Sequence, residues 1–263
     1  MSGQFARRSF ISRLKLSFQG SYDKLYGTEP QTFPEISLEA MLQNLITLDD
    51  DFWDSRYAFS KDPLGHLVNS REAVLLAHKA RECGKELAKK MLLEYGSLRV
   101  YELANRMHLT IRKTNNAMHG GTVHFAEFIE PDTIRIYEDC LEKLSMMTEQ
   151  TPQNIEVMIQ LAEESLLSHE IFHVLELREN TIFTRSYAHL LPPFLFFRRT
   201  VKFICLGEIA AMAFVKEYLQ LPFSPYIYDL LLTYSYNRTS VYRLYNRIIS
   251  LIGSRTLKNQ EEQ

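Results

Sequence analysis

The chain has 263 residues, enough for one large domain or two small ones with a substantial hydrophobic core. Its residues are 46% hydrophobic and 24% charged, close to the average of soluble globular proteins, and this excludes a wholly disordered chain. The 30 lysine and arginine residues nearly balance the 32 aspartate and glutamate residues, which gives a net charge of −2. No global positive field attracts nucleic acid, so direct nucleic-acid binding is not expected.

The cysteines and the apolar pattern of the chain indicate the cellular compartment in which the protein is expected. The cysteines at positions 83, 140 and 205 are few and widely spaced, which favours reduced thiols in a cytoplasmic protein over disulfides or a CxxC metal pair. No apolar run reaches the roughly 18 residues of a spanning helix, so no integral membrane segment is expected. The basic first 20 residues lack the apolar region of a secretory signal. We interpret them as a frayed or docking helix, with a membrane-surface segment as the alternative.

The predicted elements follow in chain order. Residues 1–70 are irregular, with a helix predicted from Ser37, and a long helical pattern then runs from Ser70 to Tyr95. A short helix over Val100–Met107 precedes three alternating segments that are rich in β-branched residues, at 108–113, 122–129 and 133–137. Turn residues separate these segments, which predicts three antiparallel strands. After Thr151-Pro152 the pattern is helical as far as Ile252.

The motif His169-Glu170-x-x-His173 lies on one of the later predicted helices. Positions i and i+4 share a helix face, so the two imidazoles can bind one metal ion, while Glu170 lies beside them and can act on water. The histidines continue an apolar stripe that predicts burial, and a buried imidazole nitrogen without a partner is unfavourable. The motif therefore predicts a zinc site. The residues of the stripe are Ile155, Met158, Ile159, Ala162 and Leu166.

A catalytic zinc ion takes three protein ligands and leaves one position open. Glu208 is the predicted third ligand, because a carboxylate within an apolar helical stripe is unfavourable unless it is paired or coordinating. His189 is the second choice, and a salt bridge from Glu208 to Arg198 or Arg199 is the alternative explanation. Glu176 is disfavoured because it would place three ligands in one row along a single helix. The possible third ligands are Glu176, Glu179, His189 and Glu208.

A zinc ion held by His169, His173 and Glu208 would polarise a carbonyl and activate water. Glu170 would then act as general base and afterwards deliver the proton to the leaving amine. The predicted reaction is hydrolysis of a peptide bond in a peptide or protein substrate. A further donor for the oxyanion is expected, with Tyr187, His189 and Tyr226 as open candidates.

These motifs and the order of elements resemble the ImmA/IrrE-type zinc metallopeptidase family over roughly residues 72–225. In that family the His-Glu-x-x-His helix precedes a helix with Glu-x-x-Ala-x-x-Phe-Ala and a Leu-x-x-Pro ending. The corresponding positions here are Glu208-x-x-Ala211-x-x-Phe214-Val215 and Leu219-x-x-Pro222. The chain departs from the family at Phe172, where glycine is frequent, and in the long apolar stretch between Val174 and Gly207.

The resemblance implies a gluzincin-like site with His169, His173 and Glu208 as ligands and Glu170 as general base. It implies a cleft between this helix and the sheet edge, and regulatory cleavage of a partner protein. We expect a mainly helical α+β fold with a small three-stranded antiparallel sheet near the active-site helix. The predicted division is an N-terminal helical or irregular extension over 1–70, a zinc metallopeptidase core over 71–225, and a C-terminal helical extension and tail over 226–263.

Two other classes of metal protein compete with this prediction. A non-catalytic zinc-containing module for peptide binding or regulation would close the site with four protein ligands. A di-iron helical protein would need a second Glu-x-x-His on another helix, and the sequence has none. The oligomeric state does not follow from the sequence.

Overall fold

A computed structural model describes residues 36–119, 122–147, 153–191 and 199–261. The basic N-terminal segment and Arg198, which both entered the predictions, lie outside these ranges. The described part is mainly helical with a small mixed sheet. None of its helices is long and apolar enough to cross a membrane.

The N-terminal half begins with helix α1 and an aromatic helical segment, which contains a π-helical turn between two short α-helical turns. Helix α2 covers the predicted span, with Asn69 as its N-cap and Gly96 ending it at a φ of 76°. The bounds are Leu38–Ile46 for α1, Asp50–Phe52, Trp53–Ala58 and Phe59–Lys61 for the aromatic segment, Gly65–Leu67 for a 3₁₀ turn, Ser70–Tyr95 for α2 and Val100–Arg106 for α3.

Five short strands and helix α4 follow. Their bounds are Thr110–Thr114 for β1, Met118–His119 for β2, Thr122–Val123 for β3, Ala126–Ile129 for β4, Thr133–Tyr137 for β5 and Glu138–Ser145 for α4. The remaining elements are helical apart from the pair β6 and β7. They are Gln153–Gln160 for α5, Ala162–Arg178 for α6, Phe183–Ser186 for α7, His189–Leu190 for β6, Thr200–Val201 for β7, Ile204–Tyr218 for α8, Ile227–Tyr234 for α9 and Arg238–Glu261 for α10.

The three-stranded sheet is mixed, so the prediction of an antiparallel sheet is wrong. Strand β5 lies in the middle; it pairs antiparallel with β4 and parallel with β1. The β2–β3 hairpin and β4 lie between β1 and β5 in the chain, and this connection is long enough to bring β5 alongside β1 in the same direction. Ile134 and Ile136 are fully buried, as a central strand requires.

Helix α6 is buried on most of its surface and lies at the centre of the fold. It contacts α8, α3 and the strands β4 and β5. The hydrophobic core is one cluster that extends from Leu38 to Ile248, so residues before 70 and after 225 pack into the same core as the segment between them. The three cysteines are buried free thiols, as predicted. The division into 1–70, 71–225 and 226–263 stays a prediction.

Helix α2 packs closely along α8, and Gly84 lies directly against the α8 backbone. A Cβ atom on Gly84 would lie 2.0 Å from the carbonyl oxygen of Ala210, two residues beyond Glu208. This oxygen belongs to the backbone, so a side chain at position 84 can be accommodated only if a helix moves. The glycine therefore sets the position of the helix that carries Glu208.

Replacing Gly84 with alanine is expected to lower the free energy of unfolding by at least 1–3 kcal/mol, roughly the cost of overpacking a core. Urea denaturation measures this change. Gly253→Ala is the matched control, because no atom lies within 4 Å of a Cβ at that helical position. It should leave stability unchanged or raise it by up to about 1 kcal/mol. Equal stabilities of the two variants would contradict the close contact.

Candidate metal centre

The two histidines of the motif and Glu208 converge on one point between two helices. Helix α6 provides His169 and His173 one turn apart, and α8 provides Glu208 from the opposite side. The two Nε2 atoms lie 3.1 Å apart. Glu208 Oε2 lies 3.2 Å from His169 Nε2, and Glu208 Oε1 lies 3.7 Å from His173 Nε2. His169 and Glu208 are almost completely buried.

These separations can be compared with what a metal ion requires. Zinc binds nitrogen and oxygen ligands at about 2.0–2.2 Å in a tetrahedron, which places neighbouring ligand atoms roughly 3.3 Å apart. The observed distances of 3.1, 3.2 and 3.7 Å lie around that value. Two imidazoles and one carboxylate are also a donor set that suits zinc and related divalent ions. The residues therefore fit a divalent metal ion.

Glu170 lies beside the three possible ligands and is 7% exposed. Its carboxylate accepts a hydrogen bond from the backbone N–H of Phe128 on β4. Burial raises the pKa of Glu170, and the nearby His169 and His173 only partly oppose this effect. The carboxylate thus lies between the three possible ligands and the sheet.

His173 is oriented by a second carboxylate on its own helix. Its Nδ1 atom lies 3.2 Å from Oε2 of Glu176, one turn further along α6. Burial opposes protonation of His173, but the hydrogen bond to Glu176 and the charges of Glu208 and Glu170 outweigh it. Together they raise the pKa of the metal-free imidazole to about 9. Glu176 therefore contacts the ring nitrogen that faces away from His169.

The other two candidates for a third ligand lie elsewhere. His189 on β6 pairs with Tyr187, whose hydroxyl is 3.2 Å from His189 Nδ1, and with Glu72 at 3.4 Å. Glu179 follows the end of α6 and forms an ion pair with Lys90. Within the described ranges, the group able to hold a metal consists of His169, His173 and Glu208, with all ligand atoms within 4.8 Å of one another.

The three candidate oxyanion donors also differ in position. Tyr187 and His189 contact each other, whereas Tyr226 lines a small cavity together with Glu208 and Cys205. The Tyr226 ring stacks on Trp53 with centroids 5.7 Å apart, and burial raises the pKa of its hydroxyl well above the ordinary value. Of the three, Tyr226 therefore shares a cavity with a predicted ligand.

Glu176 is the residue whose part in the site was not predicted from the sequence. Its position on the same helix makes Glu176 a possible metal ligand, but its spacing of three residues after His173 also places it within reach of that ring. A carboxylate at i+3 from a ligating histidine is thus a usable signal for the partner of the second ring nitrogen.

Comparisons of the chain with protein-family models, with curated proteins and with solved structures find no match. The resemblance to the ImmA/IrrE-type family therefore stays a prediction that rests on the motifs themselves.

Proposed function

We propose that the protein is a zinc-dependent metallopeptidase of the gluzincin type, similar to the ImmA/IrrE-type family. The observation that carries the proposal is the convergence of His169, His173 and Glu208, whose ligand atoms all lie within 4.8 Å, beside the Glu170 carboxylate. Within the described residues, three possible protein ligands rather than four favour a site with a position open to substrate or water over a closed structural site.

When bound, zinc would supply a Lewis acid that polarises a carbonyl and makes water a stronger acid. His169, His173 and Glu208 would hold the ion. Glu170 would accept the proton of the attacking water and deliver it to the leaving amine, as a general base and then a general acid. The Phe128 N–H would help to orient the Glu170 carboxylate. Tyr226, which lines a cavity with Glu208, would be a hydrogen-bond donor to the reacting carbonyl oxygen.

The proposed substrate is an extended segment of a peptide or protein. Within the described residues, β4 is hydrogen-bonded to β5 and lies at the edge of the sheet next to α6. A peptide that adds to such an edge gains affinity from backbone hydrogen bonds, which do not depend on the peptide's sequence.

Metal analysis and metal-dependent hydrolysis test this function. Wild-type protein dialysed against a weak chelator is expected to keep about one zinc ion per chain, because three ligands converge on one point. Cleavage of a protein or peptide library should stop after treatment with a strong chelator and return when zinc is added. A wild-type protein that binds no zinc, even after refolding with the metal, would overturn the proposal.

A further inference from the structure

The Glu176 carboxylate lies between a predicted ligand and the helix that carries another ligand. One side faces His173, with Oε2 3.2 Å from Nδ1. The other side faces Gly207, the residue immediately before Glu208 on α8. A Cβ atom on Gly207 would lie 3.2 Å from Oε1 and 3.4 Å from Oε2. The Glu176 carboxylate thus lies between His173 and the α8 backbone at Gly207, and its side chain is only 14% exposed.

The hydrogen bond at Nδ1 determines what the other nitrogen of His173 can do. A carboxylate only accepts hydrogen bonds, so Nδ1 keeps its proton when His173 is in the neutral form that binds a metal. The lone pair is then on Nε2, the atom that lies 3.1 Å from His169 Nε2 and 3.7 Å from Glu208 Oε1. Metal-binding histidines are commonly held in this way by a carboxylate, which fixes the tautomer and the orientation of the ring.

Gly207 is unusual in its context, because it lies within a helix where alanine would be more stable. The contact with Glu176 gives the reason for a glycine here. A methyl group at this position would come closer to the carboxylate than ordinary van der Waals contact allows, and the carboxylate would have to shift away from its present position. Because Glu176 is also bonded to His173, that shift would be transmitted to the ring.

We infer that Glu176 is a positioning residue that holds His173 ready for metal binding, and that Gly207 leaves the space this carboxylate requires. The inference rests on the proposed metal centre and adds to it two residues that bind no metal themselves. It predicts that changes at Glu176 and at Gly207 alter zinc affinity through one shared route, the position of the Glu176 carboxylate beside His173.

Zinc affinity of the metal-free protein, measured by competition with a chromogenic chelator, tests the inference without any substrate. Glu176→Ala is expected to weaken zinc binding by about 10- to 100-fold. Glu176→Gln should lose less, because its amide oxygen still accepts the Nδ1 hydrogen bond. Glu179→Ala is the matched control and should bind zinc like the wild type, since that carboxylate pairs with Lys90.

A double-mutant cycle separates the two residues. Gly207→Ala alone is expected to weaken zinc binding severalfold. The stability of the metal-free protein to urea should not fall, because alanine favours the helix more than glycine does. In the Glu176→Ala background the same glycine change should have no further effect on affinity, because the carboxylate it displaces is gone.

The outcomes distinguish this inference from the function on which it rests. If the wild type binds no zinc, the metal centre and the inference both fail. If the wild type binds zinc and Glu176→Ala stays within twofold of it, the metal centre stands and the positioning role of Glu176 is overturned. If Gly207→Ala weakens binding equally with and without Glu176, the shared route is overturned.

Discussion

Replacing Glu170 with glutamine is expected to lower peptide hydrolysis by about 10²- to 10⁴-fold and to leave the zinc content unchanged. Glutamine has nearly the same shape, and its amide oxygen can still accept the hydrogen bond from the Phe128 N–H. It cannot accept a proton from water, so only the acid–base step is lost. The ratio kcat/KM on a cleaved peptide and the zinc content per chain measure the two quantities.

The matched control is Glu164→Gln, which makes the same change on the same helix at a partly exposed position. It should keep both activity and zinc. Undiminished hydrolysis by Glu170→Gln would show that Glu170 is not the general base. A zinc-loaded wild type that binds peptides but cleaves none would support the non-catalytic module instead. Neither the wild type nor Glu170→Gln would then show turnover.

Replacing Glu208 with alanine is expected to abolish stable zinc binding, because two imidazoles on one helix remain where three ligands converged. The loss of zinc binding should also remove the stabilisation of the folded state by zinc. A metal present at 1,000 times its dissociation constant stabilises the folded state by about 4 kcal/mol. Wild-type protein should therefore unfold at a higher temperature with zinc than without, and Glu208→Ala should unfold at the same temperature in both conditions.

Glu217→Ala is the control for this experiment, because Glu217 lies on the same helix and faces Lys89 at 3.8 Å, away from the histidines. It should retain zinc and the zinc-dependent rise in unfolding temperature. If Glu208→Ala and the wild type each bind one zinc ion, the third ligand is a side chain other than Glu208. His189→Ala would then be the next variant to analyse.

The cluster of His169, His173 and Glu208 could be predicted because its signals are local. The spacing of His169 and His173 fixes their common face, and an isolated carboxylate at position 208 within an apolar stripe indicates a partner across the helix interface. The structure brings these three residues together. Zinc binding and peptide hydrolysis are proposed from this convergence.

The arrangement of the sheet could not be predicted from the same kind of signal. Alternation identifies β1, β4 and β5 as strands, but it says nothing about which strands are neighbours. The parallel pairing of β1 with β5 depends on how the β2–β3 hairpin and β4 occupy the connection. Contacts between residues far apart in the sequence cannot be predicted from such patterns either. One example is the hydrogen bond that Asp62 accepts from the backbone N–H of Cys205.

The close approach of Gly84 to Ala210 also has a consequence for how the site forms during folding. Glu208 reaches the histidines only when α8 lies between α2 and α6, and these helices come from distant parts of the chain. Contacts between distant segments form late, because a long loop must first be closed. High-affinity zinc capture should therefore coincide with completed tertiary structure, and the metal would report that the chain has finished folding.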